Sequence, residues 1–248
     1  MDNLQGVAWY NQDMKYMGSK NRIAKHILPI ILKDRKEGQW YVEPFVGGAN
    51  MIDKVDGYRI GSDTNMYLIR ALELIRDDVY SIPEIITEDY YMELRDKKEV
   101  DGITGFTAFA MSFGGKFFGG YRRDVAGTKG CLDNMKTQTR RSRENAIKQS
   151  GNIQGVALAT ANYNSLEIPD YSIIYCDPPY ENTTGYKDSF NHAEFWQWCR
   201  DSKAQGHTIF ISEYNAPEDF TCVWQKAVNS SLTKNTGAKK ATEKLFTL

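Results

Sequence analysis

The sequence predicts an α/β protein: a doubly wound, mainly parallel sheet with an insertion between its two halves. Three observations carry this. Short apolar runs stop at glycine, proline or acidic turns, amphipathic stretches separate them, and a long central segment breaks the alternation.

Residues 1–14 are polar, read as a loose leader, and lack the apolar core of a secretory signal. Asn21 to Lys36 places Ile23, Ile27, Ile30 and Ile31 at helical spacing, with Pro29 as a kink and Gly38 as the stop. Gln39 to Phe45 is an apolar-aromatic run that ends at Val46-Gly47-Gly48, hence a strand entering a tight turn. Tyr58 to Asp63 reads as the next strand. Asn65 to Arg76 reads as a helix with Leu68, Leu72 and Ile75 on one face. Residues 80–155 are rich in Gly, Phe and basic side chains and read as an inserted module. Alternation resumes with a strand at Tyr171 to Cys176 and a helix at His192 to Lys203. A strand at His207 to Ser212 follows, then strand candidates at Thr221 to Val228 and Ala241 to Leu248. The expected organisation is one unit from 1–79 and 156–248, interrupted by the module at 80–155.

The 248 residues are 41% hydrophobic and 25% charged with net charge -1, an ordinary globular composition able to bury a full core. Cysteines 131, 176, 199 and 222 form no CxxC pair, and His26, His192 and His207 are scattered, so neither a zinc site nor a disulfide framework is expected. Reduced thiols fit a cytosolic compartment. No apolar run approaches the length of a membrane span.

Three constellations carry chemistry. Glu43-Pro44-Phe45-Val46-Gly47-Gly48-Ala49 lies at the carboxyl end of the first strand, where open α/β sheets bind ligands. Asp63, twenty residues after Glu43, is placed to accept from ribose hydroxyls. Alone, the pair reads equally as a turn and a solvated acid. The G-x-G-x-x-G pattern of dinucleotide enzymes is missing, which favours a ligand without phosphate. The second is Asp177-Pro178-Pro179-Tyr180, again at a strand end. Two prolines stiffen the turn, so that the Asp177 carboxylate and the Pro178 carbonyl can accept both N–H bonds of an aryl amine, while Tyr180 offers a stacking face. Otherwise it is a rigid loop with a capping Asp. The third is Lys15-Tyr16-Met17-Gly18-Ser19-Lys20, a ligand-gripping loop or an N-terminal turn with surface lysines.

In this order the motifs resemble the Dam-type adenine methyltransferases (the alpha group with DPPY) of bacteria and their phages, over about residues 15–248. The resemblance implies a Rossmann-like fold with an antiparallel seventh strand and a target-recognition insert. It implies S-adenosylmethionine as methyl donor, no metal, double-stranded DNA as substrate, and restriction–modification among its settings. Asp177, Pro178 and Tyr180 are then catalytic. Tyr16, Lys20, Glu43, Phe45, Gly47, Asp63 and Asp177 contact the cofactor. Ser19 and Ala49 stand where the family often has glycine. A cytoplasmic monomer or weak homodimer is expected, in the host cytoplasm if phage-encoded.

From Ser112 to Ser150 the insert carries nine basic and three acidic residues, net +6. Such a patch is the footprint of nucleic-acid binding. Lys116, Tyr121, Arg122, Arg123, Lys136 and Arg140 are the candidates. Phe117, Phe118 and Tyr121 suit either a wedge in a base stack or a small local core. The competing readings are methylation of the cytosine amino nitrogen, where Ser usually replaces Asp177, and a non-catalytic DNA-binding protein that keeps the fold. A nucleotide-binding dehydrogenase is disfavoured by the absent glycine pattern.

Overall fold

A computed structural model describes residues 14–122, 132–181, 190–229 and 240–248. Strands β1 (Tyr41–Glu43), β2 (Arg59–Asp63), β3 (Val156–Thr160), β4 (Ile173–Cys176), β5 (Thr208–Glu213), β6 (Thr221–Asn229) and β7 (Lys240–Thr247) form one sheet in the order β3-β2-β1-β4-β5-β7-β6. The first five run parallel, and β7 lies antiparallel between β5 and β6. Helices are α1 (Asn21–Ile31), α2 (Met66–Asp77), α3 (Glu88–Lys97), α4 (Gly102–Ala110), α5 (Leu132–Asn152) and α6 (His192–Ala204). This is the mixed sheet of the Rossmann-like methyltransferase architecture, with the expected antiparallel seventh strand.

Both faces of the central strands are buried, which is why they read as continuous apolar runs. Side chains alternate between two cores. Tyr41, Ile173, Tyr175, Phe210 and Leu245 join α1, α2 and α4 on one side. Val42, Ile174, Cys176, Ile209, Ile211 and Phe246 join Phe195, Trp196 and Cys199 of α6 on the other. Polar chemistry is therefore confined to strand ends, and the parallel register brings the exits of β1, β2, β4 and β5 to one edge.

The sequence reading differs in three places. The first helix ends at Ile31 rather than Lys36. Pro29 lacks the N–H of the last turn. Arg35 is instead held outside the helix, donating to the carbonyls of Gln39, Asp56 and Tyr58 at 3.1, 2.6 and 3.2 Å. Strand β3 and helices α3 and α4 were not anticipated. Helix α4 (GITGFTAFA) is buried almost all round, so it shows no amphipathic stripe. It crosses α2 closely because residue 105 is glycine: a Cβ there would fall on the Tyr67 carbonyl. Thirdly, Phe117, Phe118 and Tyr121 pack together. Phe118 and Tyr121 meet the Tyr91 ring at 5.2 and 5.3 Å, Phe117 meets Tyr67 at 4.8 Å, and the Tyr121 hydroxyl donates to the Ile86 carbonyl at 2.7 Å. The local-core alternative is the one these contacts match.

Segment 80–155 is tied to the sheet by part-buried polar contacts. The Arg59 guanidinium, at the start of β2, donates to the carbonyls of Asn152 and Gln154 at 2.7 and 2.6 Å. Within the segment itself, Arg143 on α5 donates to the Ile82 carbonyl at 2.8 Å. At the sheet edge, Glu213 ends β5 and accepts from the amides of Tyr214 and Glu181 at 2.6 and 3.1 Å, joining the exits of β5 and β4. Burial pushes its carboxyl up to about 7 against those two amides, with Asp177 and Glu181 adding to the rise.

Gly105→Ala is expected to lower stability by about 1–3 kcal/mol, because overpacking against a backbone carbonyl outweighs alanine's better helix propensity; thermal unfolding checks it. Glu213 titrates near 4.5 when unfolded. Between those two values the folded chain binds the extra proton, so its stability falls as pH rises, and the loss is complete above about 7. The stability difference between wild type and Glu213→Gln should therefore move in the variant's favour, by roughly 3 kcal/mol at most, from about pH 5 to about pH 8. Denaturant titrations at the two pH values measure this.

Candidate active site

The site is built where β1, β2 and β4 end. After Glu43 the chain turns through Pro44 to Ala49. The Val46 amide donates to the Ser62 carbonyl at 2.8 Å, which holds this turn to β2. Gly47 is left-handed (φ +50°), and a Cβ at Gly48 would lie 2.8 Å from Tyr16 Cβ, so glycine lets the arm 14–20 close onto the turn. Ala49, where the resemblance predicts glycine, also holds a left-handed φ of 60°. Gln149 of α5 fixes the arm: it accepts from the Met14 amide at 2.9 Å and donates to the Gly48 carbonyl at 2.8 Å. The turn at 113–115 lies against the same arm, since a Cβ at Gly115 would meet Tyr16 Cα at 3.0 Å.

Asp63, at the end of β2, accepts from the Asn65 amide at 2.9 Å, and the Gly47 and Thr64 amides also bond to its carboxylate. Burial raises its pKa against these three donors. An acceptor-only carboxylate beside the glycine turn is the group that ribose hydroxyls require. Glu43 differs: it is 2% exposed and accepts from the Tyr41 hydroxyl at 2.8 Å. Burial pushes its carboxyl well up; the Tyr41 bond opposes, while Asp53 and Asp177 add to the rise. Glu43 thus lies beneath the turn, hydrogen-bonded within the fold. Phe45 joins an aromatic wall with Tyr163, Phe190 and Phe195, at centroid distances of 5.5, 5.9 and 5.8 Å.

Asp177-Pro178-Pro179-Tyr180 leaves β4 beside β1, with Pro178 buried. Lys20 Nζ lies 3.0 Å from Asp177 Oδ1, 3.9 Å from Glu243 Oε2 and 4.5 Å from the centroid of the Tyr180 ring. The Tyr180 hydroxyl donates to Glu243 at 2.8 Å, and its ring meets Tyr214 edge-on at 4.6 Å. Burial pulls the Lys20 pKa down, but Asp177 and Glu243 more than offset this and it is raised, so the lysine is a stable cation. Burial likewise raises Asp177. Lys20 opposes that rise, Glu243 reinforces it, and the net direction is up. Lys20 is the close cation for Asp177, 3.0 Å from Oδ1, and Tyr180 adds to holding the carboxylate. The ammonium covers a face of the Tyr180 ring.

The structure thus brings Tyr16, Lys20, Gly47, Asp63, Asp177 and Tyr180 to one edge. Sequence reasoning missed Glu243, Glu213, Tyr214, Tyr163 and Gln149, which sit in strands, loops and a helix without a local motif. Of the candidates on the insert, Lys116 and Arg140 are exposed and Arg122 is half-buried, its amide donating to the Met111 carbonyl at 2.9 Å. Arg123 and the side chain of Lys136 lie outside the described residues. Among the described residues no cluster of His, Cys, Asp or Glu could hold a metal ion, and no helix is long and apolar enough to cross a membrane.

Comparison with known proteins agrees with this geometry. The family model for the D12 class of N6 adenine-specific DNA methyltransferases matches residues 16–236. A curated relative, the type II methyltransferase M.MjaIII of Methanocaldococcus jannaschii, is 24% identical over 216 residues, covering 73% of this chain and 74% of the relative. Glycine turn, ribose-type acid and Asp-Pro-Pro-Tyr corner all fall within the matched span, and the chain belongs to the D12 class of N6 adenine-specific DNA methyltransferases.

Proposed function

We propose that this enzyme is a Dam-type member of the family, bacterial or phage in origin, that methylates N6 of an adenine extruded from double-stranded DNA, with S-adenosylmethionine as donor. One observation carries the reading: Asp177 and Tyr180 leave β4 beside the glycine turn of β1, with Asp63 on the next strand. The donor's electrophilic methyl, on a sulfonium, supplies the chemistry when bound, so the reaction as written calls on no metal. Tyr16, Phe45, Gly47 and Asp63 would hold it, with Asp63 as the acceptor for the ribose hydroxyls.

The remaining work belongs to the protein. Adenine leaves the helix at a cost of a few kcal/mol, and stacking on Tyr180 offsets about 1–3 of it. Lys20 vacates the ring face as the base enters, which exposes Asp177. The Asp177 carboxylate and the Pro178 carbonyl accept the two N–H bonds of the amine and orient its lone pair along the transfer axis. Such positioning contributes up to about 7–11 kcal/mol in ideal cases. As nitrogen becomes cationic, Asp177 stabilises the charge and takes up the released proton or passes it to solvent. Lys116, Arg122 and Arg140, with Arg123 and Lys136, would grip the DNA backbone from the insert 80–155, which we assign as the target-recognition module. Asp177, where cytosine enzymes usually carry Ser, favours adenine over cytosine.

Asp177→Ala should abolish methyl transfer, by at least about a thousandfold, with an unchanged thermal transition; tritium transfer from labelled donor to DNA measures it, and turnover near wild type would end the mechanism. Tyr180→Ala should weaken capture of the extruded base, read from a fluorescent base analogue at the target position. With five phosphate contacts, DNA affinity should fall roughly several hundredfold between about 50 and 200 mM salt, and Arg140→Ala should reduce the slope by about one. A flat salt dependence would exclude a phosphate-led contact.

A further inference from the structure

The antiparallel strand β7 delivers a side chain into the catalytic corner. Because β7 runs opposite to β5, its first half lies at the carboxyl edge: Lys244 pairs with Glu213, and Glu243 is its neighbour. Glu243 accepts from the Tyr180 hydroxyl at 2.8 Å and is itself half-buried. Among the contacts of Tyr180 are Lys20 on its ring face, the Tyr214 edge, Asp177 beside it, and Glu243, which accepts from its hydroxyl. The first is lost whenever a base takes that face. The others then remain, and the hydrogen bond to the Glu243 carboxylate fixes the ring along its long axis.

We infer that Glu243 is a positioning residue for methyl transfer: through the Tyr180 hydroxyl it sets the plane on which the target base stacks and hence the alignment of its amine with Asp177. This rests on the stacking role of Tyr180 proposed above. The same carboxylate lies 3.9 Å from Lys20 Nζ, and receives the ammonium once it leaves Asp177.

The test compares Tyr180→Phe, Glu243→Ala, Glu243→Gln and the double variant Tyr180→Phe/Glu243→Ala in single-turnover methylation of a duplex saturating the enzyme. Tyr180→Phe and Glu243→Ala should each slow transfer about tenfold, with the donor's KM unchanged, and the double variant should be no slower than either. Glu243→Gln keeps an acceptor for the hydroxyl and should return the rate to within about threefold of wild type. Multiplying effects in the double variant, a glutamine as slow as the alanine, or a Tyr180→Phe enzyme at the wild-type rate would each overturn the inference. Tyr180→Phe retains the packed ring and answers the question even if Glu243→Ala does not fold. Tyr180→Ala separates the two levels: if it leaves base capture intact, the stacking reading itself fails, whereas impaired capture in Tyr180→Ala with full activity in Tyr180→Phe removes only the role of Glu243.

Discussion

The constraint on which everything else depends is the burial of both sheet faces. A parallel sheet covered on each side has no room for charge along its strands, so ionisable groups are expelled to the strand ends. With β1, β2, β4 and β5 in register, these ends share an edge, and Asp63, Asp177 and Glu213 follow one another along it. The acids converge because of the fold's topology, and no local sequence need bring them together.

Convergence creates an electrostatic problem that the N-terminal arm resolves. Glu243 raises the cost of ionising Asp177, and Lys20 is the cation that lies beside both carboxylates. The arm is aligned for this from three directions: the glycine turn below it, the 113–115 turn against it, and Gln149 across its start. Two of these supports come from segment 80–155. Segment 80–155 is thus mechanically joined to the arm that carries Lys20.

Legibility in the sequence followed the nature of each signal. Strands β1, β4 and β5 were readable because an apolar run ending in a special turn has few other solutions, and Glu43–Ala49 and Asp177–Tyr180 announced themselves by composition. Helix α4 was hidden because full burial erased its stripe, and β3 because Val156–Thr160 is a short run with neither glycine nor proline at its exit. Glu43 carries its Tyr41 hydrogen bond beneath the turn, a partner that no local motif announces. The aromatics at 117–121 carried two readings that only packing could separate. Glu243 was invisible for a deeper reason: it lies in an ordinary polar-apolar strand, and its importance arises from the reversal of β7 at the sheet's far side.

That reversal also bears on the timing of folding. Lys20 and Glu243 stand more than two hundred residues apart, so their meeting is among the least local contacts in the chain. Closing so long a loop is slow and is rewarded only after the intervening strands have paired. Formation of the Lys20–Glu243 contact therefore waits on the pairing of β7 with β5.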